Sequence, residues 1–156
     1  MLIFKLLHIL SMFTAVTLLV GESTFMAIAI WRGDVRALAA IRRMVGRHPV
    51  VSASIFLVGI GFGLLTVATG GLDFFAGWLI AAYVLVVALL AISGLPVVQK
   101  GLLGLVDQAT EAEAGQRPME DVAREMAALR LSFGLVVAAN WVLFAAIIAD
   151  MVLKPF

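Results

Sequence analysis

A chain of 156 residues that is 63% apolar and only 13% charged, with a mean hydropathy of +1.13, has too little polar surface to cover a water-soluble globule. Its net charge of +1 says little, because in a membrane protein what matters is where the charges sit, and no nucleic-acid partner is expected. With no Cys there are no disulfides, thiolate-bound clusters, thiolate zinc sites or c-type haem attachment, and two His residues are too few for a His-rich mononuclear metal site in one protomer.

A bilayer core about 30 Å thick needs roughly 20 apolar residues of helix. The first stretch that satisfies this runs from Leu2 to Ile30. Ala27-Ile28-Ala29 has the look of a signal-peptide cleavage site, but the apolar run before it is about twice the length of a signal-peptide core, so a retained membrane helix is expected. Inside it, His8, Ser11, Ala15 and Glu22 follow at steps of three, four and seven, which places them near one line down the helix. Ionisable groups at membrane depth are costly and usually face a partner or a cavity, so His8 and Glu22 become candidates for function. They stand about 21 Å apart along the helix axis.

Trp31 to His48 carries Arg32, Arg36, Arg42, Arg43 and Arg47 against a lone Asp34. Asp34 is placed to cap a helix over Val35–Val45, with Arg36, Arg43 and Arg47 against anionic headgroups and Leu38, Ile41 and Val45 dipping toward the bilayer. His48 precedes Pro49 and is read as an interfacial residue. The second span, Pro49 to Ala68, contains Gly59-Ile60-Gly61-Phe62-Gly63. Without a preceding strand this is no phosphate loop; Gly59 and Gly63 instead have the small-xxx-small spacing of closely packed membrane helices.

Thr69 to Asp73 is a tight turn without a cation, and the third span covers Phe74 to Val98. Ser93-Gly94-Leu95-Pro96 predicts a bend at its end. Gln99 to Arg130 is a mixed-charge loop in which Glu111 to Gln116 reads as exposed and mobile. Pro118 suits a first helical position, Glu120 and Asp121 favour a helix N-terminus, and Glu120–Arg124 forms an i,i+4 pair. This amphipathic helix is expected to run into the fourth span, Leu131 to Leu153. That span holds Asn140, read as a hydrogen-bonding residue within the bundle, and Asp150, which is level with His8 if the first and fourth spans are antiparallel. Contacts of Asp150 with His8, Lys5 or Lys154 follow as expectations.

Nine of the eleven Lys and Arg residues fall in the first and third loops, so these face the cytoplasm and both termini face outward. The expected fold is an all-α, single-domain integral membrane four-helix bundle over residues 1–156, with short cytoplasmic amphipathic helices.

Several short motifs also have a family likeness. Phe4-Lys5-Leu6-Leu7-His8-Ile9-Leu10 resembles the LKxLHI opening of the HemJ-type protoporphyrinogen oxidases, and Ile41-Arg42-Arg43-Met44 resembles their RRIM segment. Gly77-Trp78-Leu79 is similar to their GWL, and Asn140 with Val152-Leu153-Lys154-Pro155-Phe156 to their tail. The second His that those proteins carry in the third membrane helix is absent between Phe74 and Val98. The chain is closer to a related group of four-span bacterial integral membrane proteins of unknown function. The resemblance implies a four-helix bundle in the bacterial cytoplasmic (inner) membrane and His8 as an axial ligand of haem b; it does not carry over protoporphyrinogen oxidation.

Three functional classes follow. One is a haem- or porphyrin-binding redox-type protein using His8. Another is a small transporter or proton-coupled subunit using Glu22 and Asp150, with Asn140 on a shared polar path. The third is an accessory subunit without chemistry of its own, self-associating or held in a larger membrane complex.

Overall fold

A computed structural model describes residues 2–45, 48–95 and 97–153. The expectations for Arg47, Pro96 and Lys154 fall outside these residues, as does the side chain of His48. The described chain is helical: α1 (Leu2–Arg32), α2 (Val35–Val45), α3 (His48–Gly70), α4 (Gly77–Ser93), a π-helix (Val97–Leu102), α5 (Leu103–Glu113) and α6 (Met119–Leu153).

Helices α1, α3 and α6 are long and apolar enough to cross a membrane, and α4 is a shorter apolar helix. Its 17 residues rise about 26 Å, somewhat less than a bilayer core. The expected span of 74–98 is therefore trimmed at both ends. At the start, Asp73 accepts a hydrogen bond from the Phe75 N–H through Oδ1 (2.9 Å) and from the Ala76 N–H through its carbonyl, which holds a turn there. At the end, Gly94 closes on the Leu90 carbonyl and the backbone leaves α-geometry.

Most of the apolar surface finds no cover within the chain. In the most hydrophobic stretch of α1 only 11% of the residues are buried, and in those of α3 and α6 only 22%. Leu6, Phe13, Leu57, Val87, Leu135 and Val142 are all at least half exposed. Such a surface is stable only against lipid.

Three helices end the same way. Gly33 and Gly71, directly after α1 and α3, and Gly115, one residue further beyond α5, hold φ of 65°, 65° and 75°, the left-handed conformation that ends a helix. After α1 the Gly33 N–H donates to Ile30 and the Asp34 N–H to Ala29, so two otherwise orphaned carbonyls are satisfied. Asp34 then starts α2: its Oδ1 accepts from the Ala37 N–H at 2.9 Å, the expected cap on the expected helix.

The contacts divide the chain into two compact units. The first comprises Met1–Gly21, Arg47–Leu89 and Val142–Phe156; the second comprises Glu22–Gly46 and Leu90–Trp141.

In the second unit, α2 turns Val35, Leu38 and Ala39 inward at helical spacing against Leu105, Val106, Ala109 and Ala112 of α5. Met26, Ala29 and Ile30 of α1 and Val122, Met126, Phe133 and Val137 of α6 complete this core. Leu38, Ala109, Val122 and Met126 have no exposed surface. The expectation that Leu38 dips into the bilayer is corrected accordingly: protein covers it. The segment 111–116, read as exposed and mobile, is corrected over 111–113, which are the last turn of α5 with Ala112 buried; Ala114, Gly115 and Gln116 are exposed beyond it.

Around this core, Arg43 pairs with Glu113, Arg42 approaches Asp107 at 4.0 Å and Arg117 pairs with Glu125 at 2.6 Å. Arg124 pairs with Asp121, three residues back, instead of with Glu120. The Arg130 guanidinium stands 4.9 Å from the Trp31 ring centroid, and the Trp141 indole N–H donates to the Thr24 hydroxyl at 3.2 Å. α6 runs unbroken from Met119, as the amphipathic lead-in predicted.

In the first unit the core is smaller: Ala15, Val20, Phe56, Leu89, Phe144 and Ile147, with Met12, Ile60 and Val86 packed against it.

Candidate functional site

The first unit holds a cleft of about 340 Å³ lined by residues of α1, α3, α4 and α6. On α1, Lys5, His8 and Met12 follow at steps of three and four and share one face. α3 contributes Ile60, Gly63, Val67 and Gly70, α4 contributes Trp78, Ala82 and Tyr83, and α6 contributes Ile147 and Met151. The walls are mostly apolar, and among the described residues the lining contains no carboxylate.

His8 is held by α3. Its Nδ1 lies 2.7 Å from the Gly59 carbonyl oxygen. A carbonyl can only accept, so Nδ1 carries the proton and donates. In the neutral imidazole Nε2 is then left with its lone pair, the tautomer suited to a metal ligand or a proton acceptor.

The glycine pair makes this approach possible. A Cβ on Gly63 would lie 2.9 Å from both Cε1 and Nδ1 of His8. A Cβ on Gly59 would lie 2.8 Å from the Met12 sulfur and 3.2 Å from the Ser11 Cβ. The small-xxx-small seam expected on the second span therefore packs against α1, and His8 is one of the side chains it receives. Gly61, between the two, meets nothing within 4 Å of such a Cβ.

The other polar candidates are divided between the two units. Asp150 belongs to the same unit as His8, but His8 bonds to Gly59, and among the described residues Asp150 joins no ion pair with Lys5. Asp150 is 9% exposed, and its Oδ2 is buried without a hydrogen-bond partner among those residues. Glu22 and Asn140 belong to the second unit. Glu22 is half-buried and has a partner; the Asn140 Oδ1 is buried without one among the described residues. Among the described residues no three His, Asp or Glu side chains cluster as a metal site.

Sequence reasoning found His8 but missed what surrounds it. A backbone carbonyl gives no residue signature, and the contributions of Lys5, Trp78, Tyr83 and Met151 depend on how four helices meet. The Gly59-xxx-Gly63 spacing was the one available pointer to where α1 would press closest.

Apolar helices too exposed for water, crossing more than once, with a cleft built between them, define a multi-pass all-helical integral membrane protein. A family model described as predicted integral membrane protein, DUF2269, matches residues 2–155, so the chain belongs to the DUF2269 family. No curated protein and no solved structure matches it.

Proposed function

We propose that this protein binds haem b or a related porphyrin in the bacterial inner membrane, with His8 as axial ligand and a redox role akin to that of HemJ-like proteins. The observation that carries this reading is the His8 Nδ1–Gly59 carbonyl bond of 2.7 Å beside an apolar cleft. Ligating imidazoles commonly donate their other ring N–H to a fixed acceptor, which sets the tautomer and raises ligand basicity. The cleft volume lies within the range of small-molecule sites. Met151, on a different helix from His8, lines the same cleft, and its thioether would be available to help hold the group.

When bound, haem supplies one-electron chemistry; the chain's own part is to hold and orient it. Gly59 fixes the imidazole, Gly63 leaves room for its ring, and the apolar walls exclude water. Both termini face outward and the arginine-rich α1–α2 connection faces the cytoplasm, by the distribution of Lys and Arg.

An absorption spectrum of detergent-purified protein from haem-replete cells tests the proposal. A Soret band that is lost in His8→Ala is the expected result. A colourless wild type sinks it.

Asp150 favours a second reading, a proton-coupled subunit, because a buried carboxylate oxygen without a partner among the described residues is an uncommon and costly feature of a membrane helix. Proton flux in proteoliposomes that is unchanged in Asp150→Asn would remove that reading.

A further inference from the structure

The cleft has a direction. Lys5 on α1, Gly70 at the end of α3 and Trp78 at the start of α4 all stand at helix ends, whereas Met12, Ile60 and Val86 stand deeper along the same helices. From one group to the other the helices rise about 10 to 15 Å. This is about half of a 30 Å bilayer core, the depth of one leaflet. Trp is characteristic of the membrane–water interface, so the Lys5 end is the interfacial end.

Charge sets the polarity of the occupant. Among the described residues Lys5 is the one permanent cation of the lining, no carboxylate lines the cleft with it, and it joins no ion pair. The other ionisable lining groups among the described residues are His8 and Tyr83. An ammonium with no ion-pair partner among the described residues, above an apolar shaft one leaflet deep, is complementary to an amphiphile with a single negative charge on its head. A carboxylate matches that one cation; a phosphate monoester, with a charge of about −1.5 to −2, would need a second.

We infer that the cleft takes a long-chain carboxylate from the bilayer, its head on Lys5 and its apolar body running inward past His8. This rests on the reading of the cleft as a ligand site and not on haem being its occupant. The His8 Nε2, with Nδ1 tied to Gly59, accepts a hydrogen bond when the ring is neutral and donates one when it is protonated.

The test uses the full chain in phosphatidylcholine nanodiscs and a fluorescent polyene fatty acid, alongside its alcohol, its methyl ester and an alkyl phosphate of equal length. The acid is expected to bind about tenfold more tightly than the alcohol or ester, as one head-group interaction of about 1.4 kcal/mol requires. Lys5→Gln should abolish that preference and Lys5→Arg should keep it. Equal binding of acid, alcohol and ester, an acid preference that survives Lys5→Gln, or tighter binding of the phosphate would overturn the inference. Absorbance of the same samples separates the two ideas. Acid preference without a Soret band overturns the haem reading alone, and a Soret band without acid preference overturns the present inference alone.

Discussion

The two compact units use the same helical material for opposite ends. In the second, α2 and α5 place Leu38, Leu105, Val106 and Ala109 against one another until almost no surface remains, and the charged residues around them form ion pairs. In the first, the glycines of α3 let α1 come close at His8, yet a cleft of about 340 Å³ stays open beside that contact. A fully packed interior contributes stability, about 1.5–3 kcal/mol for each large side chain buried. An open cleft forgoes part of that contribution and keeps room for a ligand. The comparison makes the second unit the more closely packed of the two and leaves room for the proposed ligand in the first, and it can be broken from either side.

The largest effect is expected at Leu38, which is fully buried in the second unit. Leu38→Ala removes its contacts with α5 and should cost about 2–5 kcal/mol. Hydrogen exchange should show the α2 and α5 amides losing protection. If binding at the His8 cleft were lost equally, the comparison would fail.

Gly63→Ala attacks the first unit. The new Cβ would meet the His8 ring at 2.9 Å, so the imidazole must shift, at about 1–3 kcal/mol. In the NMR spectrum of ring-labelled histidine, the hydrogen-bonded Nδ1 proton should disappear. Gly61→Ala is the matched control, because nothing lies within 4 Å of its Cβ and an added helix former should be neutral or stabilising by up to about 1 kcal/mol. Equal losses at both positions would show that helix packing in general, and not the His8 contact, makes the site sensitive.

How much of this could be read from sequence follows the same division. The Asp34 cap, the exact bounds of α2 and the continuity of α6 were legible because each depends on local chemistry: an Asx side chain reaching its own helix, and an unbroken 3.6-residue pattern. α5 was not. Asp107, Glu111 and Glu113 made its sequence look like a solvated loop, and the significance of Leu105, Val106, Ala109 and Ala112 emerges only when α2 supplies the surface they cover. His8 was legible as an ionisable group out of place in an apolar run. Its partner was not, because the Gly59 carbonyl becomes available to a side chain only through the three-dimensional closeness that two glycines permit.

A smaller effect tests the local signal directly. Asp34→Ala removes the acceptor for the Ala37 N–H and should lower the stability of the second unit by about 1 kcal/mol, whereas Asp34→Asn or Asp34→Ser should retain most of it. Thermal unfolding in a mild detergent, followed by the exchange of the first-turn amides of α2, measures the loss. An unchanged transition in Asp34→Ala would show that the buried Val35 and Leu38 alone hold the start of the helix.

The smallest effect belongs to the Arg43–Glu113 pair, and it bears on where the second unit meets solvent. Their side chains are 56% and 29% exposed. If water surrounds them, the attraction is screened and a double-mutant cycle with Arg43→Gln and Glu113→Gln should give a coupling of about 0.2–1 kcal/mol. That coupling should fall further as salt rises, since the Debye length contracts from about 10 Å at 0.1 M to about 3 Å at 1 M. A coupling well above this range and insensitive to salt would mean that lipid or a second protein covers the pair, because a desolvated ion pair is costly to break from one side. The connection between α2 and α5 would then be part of an interface. A weak, salt-sensitive coupling instead places this surface in water, where the buried leucines and not the arginines hold the two helices together.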